Sequence, residues 1–265
     1  GVMEPVFTEN FDGVTAPAFP SNWATSATGA ESPWATSTSN PASSPNSAFA
    51  PDVSAVGTTE LVSPLMAVPV GGAQLAFNNL YNMEVGYDGM VLELSINGGA
   101  YRDILDGGGS FSGGGYNRTL NSGNPLGIRP GWTGLSSGTA AAPAYIATVA
   151  TLPEAANGQT VRFRWRVACD SSSVASGASG VRIDGIVLSS TAPVCCTAPR
   201  LRITRNGANV TLSWPSTGGF DLQFNPSIAT GWMTQNFGIS DDGTTKTFTV
   251  NPQAQSTLFF RLRGN

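Results

Sequence analysis

The stretch VRFRWRVA, residues 161–168, alternates without a break: Val161, Phe163, Trp165 and Val167 are apolar, and Arg162, Arg164 and Arg166 stand between them. Side chains along a strand point to opposite faces in turn, so this pattern buries one face and presents the other to water. A helix would spread the same residues around its circumference and bury none of them cleanly. GMVLELSI repeats the pattern, with Met90, Leu92, Leu94 and Ile96 on one face and Val91, Glu93 and Ser95 on the other. AQLAFNNLY (73–81) and VRIDGIVL (181–188) also read as strands. INGGAYRDIL reads as a hairpin, because Asn97-Gly98 supplies the positive φ angles of a tight primed turn. No apolar residues recur convincingly at helical spacing. The 32 Gly and 18 Pro suit short strands and turns and disfavour helix interiors. The expected fold is all-β, built of antiparallel sheets with one buried face.

Charge narrows the function. The chain holds twelve Arg, one Lys (Lys246) and no His, with a net charge of −4. This balance argues against a nucleic-acid partner, which needs basic patches that release counterions. Without His there is no Ser-His-Asp or Cys-His nucleophile and no His-ligated zinc. Carboxylate chemistry and oxygen-ligated calcium stay open. No apolar run approaches the ~20 residues that span a bilayer. The start at Gly1, without Met or a basic-then-apolar leader, reads as a mature secreted form. The cysteines are Cys169, Cys195 and Cys196. In an oxidising compartment one bridge forms and one thiol is left over. A bridge from Cys169 to Cys195 or Cys196 is favoured over the strained ring of an adjacent pair.

The chain divides at SSTAPVCCTAP, a Ser-, Thr- and Pro-rich stretch. The reading is a first domain over 1–190, a linker over 191–199 and a second domain over 200–265. In the second, RLRITRNGANVTLSW is a hairpin around Asn206-Gly207, and FDLQF, KTFTV and TLFFRLR supply further strands. That spacing fits a small immunoglobulin-like or fibronectin-like sandwich. The Gly-rich segment 106–134 reads as a long packed loop anchored by Tyr116 and Trp132.

In order along the first domain come ENFDG (9–13), FPSNW (19–23), SPW (32–34), LVSPLMAV (61–68), YDGMVLELSING (87–98) and VRIDGIVL. This order resembles MAM-like jelly rolls, including the cleaved-adhesin domains of bacterial surface and secreted proteins. The second domain resembles, more loosely, the small C-terminal β-modules of large secreted bacterial proteins. The resemblance implies a jelly-roll sandwich, an extracellular, cell-surface location and a binding or adhesive role. It also implies structural Ca2+ near the first and last strands, carried here by Glu9, Asp12 and Asp184. The family has further acidic residues between the two early Trp, where this chain holds only Glu31.

Candidate residues each have a plainer reading. Glu84, Asp88 and Glu93 fall within ten positions. They suit a turn plus a cross-strand pairing of Glu93 with the Arg stripe, with calcium as the next reading and catalysis as the remainder. Asp184 sits among apolar neighbours, where it needs either a metal or an arginine such as Arg182 or Arg164. Asp170 fits either arrangement. Trp23, Trp34, Trp132 and Tyr116 lie in loops or at strand ends, as candidates for ligand or subunit contact. The expectation is a non-enzymatic, extracellular adhesive protein that polymerises with copies of itself into a surface filament. In it, GVMEPVFTENF would lend a strand to a neighbour's sheet edge. The alternative is a calcium-dependent, lectin-like module for extracellular polysaccharide.

Overall fold

In the structure, a computed structural model that describes residues 4–191, 200–216, 219–228, 231–251 and 257–264, Val161, Phe163, Trp165 and Val167 have no exposed surface. Among the described residues, every element but one short turn of 3-10 helix (Glu154–Ala156) is a strand. No described helix is long and apolar enough to cross a membrane. The chain falls into two units, Gly1–Pro193 and Val194–Asn265. Residues 192–199, most of the expected linker with Cys195 and Cys196, lie outside the described residues.

The first unit begins with β1 (Pro5–Glu9), β2 (Ala24–Gly29), β3 (Ala35–Ser37), β4 (Ser47–Ala50), β5 (Gly57–Val62) and β6 (Met66–Ala67). The long strands β7 (Ala73–Asn82) and β8 (Gly89–Ile96) follow, then β9 (Arg102–Asp103), β10 (Ser110–Gly113), β11 (Arg118–Thr119) and β12 (Pro130–Gly131). After β13 (Gly138–Thr139) and β14 (Ala142–Pro143) come β15 (Ile146–Thr151), β16 (Thr160–Cys169) and β17 (Gly180–Ser190). One sheet has the order β10-β15-β7-β17-β4-β3, with β1 also on β17; the other is β2-β5-β16-β8-β9, with β6 also on β16. Their inner faces meet in one core, where Phe77 of the first sheet lies edge-on to Trp165 of the second at 5.5 Å between ring centres. This two-sheet arrangement is the jelly-roll-like sandwich.

Turn chemistry and pairing register follow the local sequence. Asn97 and Gly98 take φ of 50° and 73° between β8 and β9. Glu93 stands opposite Arg164 on β16 and opposite Asp103 on β9. Two carboxylates side by side repel, and Arg129 resolves this by reaching Glu93 at 3.2 Å and Asp103 at 2.5 Å. Arg164 bonds Glu93 at 2.5 Å and Glu60 at 3.1 Å, and its guanidinium lies 4.2 Å from the centre of the Tyr101 ring. Glu93 is therefore buried, 4% exposed, and not on an open outer face.

Two expectations change. Trp23, Trp34 and Trp132 are core residues, 9%, 2% and 0% exposed, and the half-buried Tyr116 packs edge-on to Trp132 at 4.7 Å. Trp132 donates its indole N–H to Gly114 O, and Tyr116 donates its hydroxyl to Asp103. Their rings fill the sandwich, so they are not placed to touch a ligand or another subunit. Cys169 is a free, buried thiol at the end of β16; the partners expected for it, Cys195 and Cys196, lie outside the described residues. The strand expected to reach a neighbour, β1, pairs over Pro5–Glu9 with its own chain's β17.

The second unit pairs β18 (Arg202–Asn206), β19 (Asn209–Pro215), β23 (Thr245–Val250) and β22 (Ile239–Asp241) in one sheet. A second sheet holds β21 (Met233–Thr234), β20 (Phe220–Asn225) and β24 (Phe259–Gly264). Leu212, Trp214 and Leu222 centre its core, with Phe248, Phe260 and Leu262 around them. This is the small immunoglobulin-like sandwich.

Candidate metal centre

Five carboxylates collect at one end of the first unit, where strands of both sheets finish. Register places Gly29, Gly57 and Cys169 level with one another in the second sheet, with Gly89 one residue off, opposite Ala168. Ala50, Asn82 and Gly180 are the corresponding ends in the first. Glu31 follows β2, Asp52 follows β4, Glu84 and Asp88 lie between β7 and β8, and Asp170 follows β16. Ligand atoms of Glu84, Asp88 and Asp170 all lie within 4.8 Å of one another, and so do those of Asp52, Asp88 and Cys169. Asp88 belongs to both groups.

The loop that carries Glu84 and Asp88 is held by the long segment around it. The Asp88 amide closes onto Glu84 O at 3.0 Å, and Gly86 takes a φ of 83° that only glycine adopts readily. Thr133 Oγ1 accepts from the Gly86 amide and donates to Glu84 O. Asn124 donates its side-chain amide to both Tyr87 O and Ala168 O, tying this loop to the end of β16. Glu31 lies over Gly57, where a Cβ would come 2.7 Å from Glu31 Cγ.

The electrostatics are those of an anion cluster short of a cation. Asp88 is fully buried, and Asp52, Asp170 and Glu31 are 7–8% exposed. All five ion pairs among the described residues lie elsewhere, on Glu60, Glu93 and Asp103. Asp88 Oδ1 accepts the Asp170 amide at 2.7 Å, and Asp52 Oδ2 accepts the Ala175 amide at 2.7 Å. Asp88 Oδ2 and both Glu31 oxygens are buried with no hydrogen-bond partner. Burial, and then the neighbouring Asp52 and Asp170, push the Asp88 carboxyl up to about 8. With that proton Asp88 can donate to Asp52; without it the two face each other as acceptors. Burial also raises Asp52, although the Ala175 amide pulls it back. Burial raises Glu31, with the Cys169 thiol and the Ser32 amide nearby pulling it part of the way down. The thiol has one hydrogen to give, and its sulfur lies 3.6 Å from Asp52 Oδ1.

A divalent cation would offset this repulsion and desolvation. Calcium takes six to eight oxygens from carboxylates, carbonyls and water. Glu84, Asp88, Asp170 and Asp52 supply such oxygens, and the orphaned Asp88 Oδ2 is an acceptor lacking a positive partner. The ion would tie loops of both sheets together at one end.

The residues expected to hold calcium from the resemblance fall elsewhere. Asp12 and Asp184 meet at Ser43, whose hydroxyl lies 3.1 Å from Asp12 Oδ2 and 3.3 Å from Asp184 Oδ1. Asp184 also accepts the Ser43 and Gly185 amides at 2.7 and 2.6 Å, and Asp12 accepts the Asn46 amide at 3.0 Å. Glu9 accepts the amide of Phe11 at 2.7 Å. The three do not form a group within 4.8 Å, and none of their oxygens is buried without a partner. Backbone amides serve these carboxylates in part, and burial still pushes the Asp184 carboxyl up. Arg182 does not pair with Asp184 either; it donates to Ser39 O and lies over the Phe49 ring at 4.5 Å.

The sequence drew attention to Glu84, Asp88 and Asp170 but missed Asp52 and Glu31 as their companions. The available signal was a carboxylate placed directly after a strand's inward-facing residues, as in FAPD (49–52) and VACD (167–170).

No protein-family model matches the chain, and comparison with curated proteins gives no match. Among solved structures it is similar to the K2 cleaved adhesin domain of Lys-gingipain, at 19% identity and a TM-score of 0.42 over 69% of this chain and 96% of that one. The K3 cleaved adhesin domain of Lys-gingipain from Porphyromonas gingivalis gives 16% identity and a TM-score of 0.41 over 71% and 99%. A tandem pair of CBM22 domains of Paenibacillus barcinonensis Xyn10C gives 8% identity and 0.37 over 98% and 84%. At these scores the likenesses assign no activity to this chain.

Proposed function

We propose that the chain is a non-catalytic extracellular binding module, adhesive or glycan-binding, whose first sandwich is held closed at one end by a calcium ion. One observation carries the reading: carboxylates from three loops meet in two groups that share Asp88, whose Oδ2 is buried and unpartnered, and no described ion pair reaches them. A general acid and a base need separate environments around a substrate. Here the carboxylates face one another and the thiol, a geometry suited to holding an ion. The ion fixes the loops at 84–88 and 170–179, so surfaces built on those loops depend on it. A glycan array read in calcium and in chelator tests this. Binding to an extracellular polysaccharide that chelator removes is expected. Glycan cleavage, or no calcium-dependent binding to any polysaccharide, overturns the reading.

Self-assembly is a second reading, favoured by the free outer edge of β1, which pairs only with β17 among the described strands. Beside that edge runs an apolar groove of about 380 Å3 lined by Val6, Phe7, Leu65, Met66 and Val68. Unpaired strand edges and apolar grooves both favour association. Negative-stain microscopy at rising concentration is expected to show polymers; dispersed monomers throughout rule this reading out.

A further inference from the structure

We propose that the acidic end of the first sandwich contains a second, thiol-bearing cation subsite made by Cys169, Asp52 and Asp88 with Glu31 beside them, and that it takes a softer divalent ion of the zinc or cadmium class. This inference rests on the reading above that the Asp88 cluster binds a cation.

Cys169 is the last residue of β16 and has no exposed surface. A free cysteine at such a position normally packs as a small hydrophobe. This one does not. Its sulfur lies within 4.8 Å of carboxylate oxygens of both Asp52 and Asp88. Burial and the nearby carboxylates push the free thiol well up, and the Val53 amide, which it accepts at 3.5 Å, pulls it part of the way back. Glu31 stands against it with both oxygens buried and unpartnered, and Asp88 Oδ2 is likewise unpartnered. Three carboxylates and a thiol that hold no cation among them destabilise the apo fold by desolvation and mutual repulsion. The oxygen group, Glu84, Asp88 and Asp170, meets calcium's preference and excludes sulfur. The thiol group offers the mixture of sulfur and oxygen that borderline-soft metals accept. Asp88 is shared, as a carboxylate bridging neighbouring ions would be. Binding replaces the thiol hydrogen by the metal: the S–H bond breaks, a sulfur–metal bond forms, and the thiol proton, with the one on Asp88, leaves to water. Nothing is oxidised or reduced.

The test uses the full chain with Cys195→Ser and Cys196→Ser, leaving Cys169 as the one thiol. Metal-free protein is titrated with Cd2+ and, separately, with Ca2+. The ultraviolet thiolate-to-cadmium charge-transfer band reports sulfur ligation, and calorimetry reports binding of either ion. The expected result is a stoichiometric band with Cd2+ that disappears in Cys169→Ser, while that variant still binds Ca2+. If Cys169→Ser fails to fold, cadmium-113 NMR of the Cys169-containing protein gives the same answer, with a sulfur-shifted resonance expected. Cadmium binding without a band, or a band that persists in Cys169→Ser, overturns the thiol subsite and leaves the calcium reading standing. Failure of both ions to bind overturns both.

Discussion

Replacing Asp88 by Asn separates the cost of the acidic cluster from its use. In the ion-free protein at pH 7, Asp88 is held protonated against its ordinary value of 3.8, because burial lifts it to about 8. Each pH unit of such displacement is worth about 1.4 kcal/mol, so roughly 4 kcal/mol of folding stability is forgone at neutral pH as an upper figure. Asn keeps the shape. Its Oδ1 can still accept the Asp170 amide, which Asp88 accepts at 2.7 Å, and its amide can donate to Asp52. The ion-free Asp88→Asn protein is therefore expected to be more stable than ion-free wild type, by about 1–4 kcal/mol after allowance for the shared proton. The cation response runs the other way. At a hundredfold excess over Kd a bound ion adds about 2.7 kcal/mol, which for a unit of this size raises Tm by about 5–11 °C. Asp88→Asn loses a charged ligand from both groups and is expected to lose nearly all of that rise. Differential scanning calorimetry with and without calcium reads both quantities. The reasoning is refuted if Asp88→Asn melts below ion-free wild type and still gains the full calcium shift.

Three further outcomes follow from the same geometry. Asp88, Asp52 and Glu31 are all raised in the fold, so the folded state holds protons that the unfolded chain would lose. Ion-free stability is full below about pH 4 and drains away as pH rises through about 8, and urea midpoints near pH 5 and pH 9 should show this fall, with calcium flattening it. Asp184→Ala strands the Ser43 and Gly185 amides and is expected to cost about 1–3 kcal/mol by urea denaturation while leaving the calcium response intact. Glu93→Gln removes one charge from the Arg129 and Arg164 network, but both arginines keep another carboxylate, Asp103 and Glu60. A loss of about 2 kcal/mol is expected, again with no change in calcium binding.

Much of the fold was legible because strand patterning is local. The alternation in VRFRWRVA decided which side chains of β16 are buried, and Asn97-Gly98 decided the β8–β9 turn. The pairing of Glu93 with the arginine stripe was legible for the same reason, since register carries face with it. Its burial was not, because that depends on Arg129 and Tyr101 arriving from the long segment after β8. Trp23, Trp34 and Trp132 looked available because they lie outside regular strand patterns. In a sandwich the loops close the ends, and large rings there fill the core. The candidate site was the least legible part. Its five carboxylates run from Glu31 to Asp170 and meet only when strands of both sheets finish level. Asp184, flanked by apolar residues, looked like a charge in need of a metal or an arginine; the amides of Ser43 and Gly185, invisible in the sequence, supply it with hydrogen bonds.

An anomalous-scattering map from crystals grown with calcium and then exchanged into terbium, a calcium substitute, tests the central claim most directly. The account predicts a peak bounded by carboxylate oxygens of Asp88, Asp170 and Glu84 or Asp52. A peak at Asp12 and Asp184 instead, or a well-ordered Asp88 cluster with no peak at saturating ion, would contradict it.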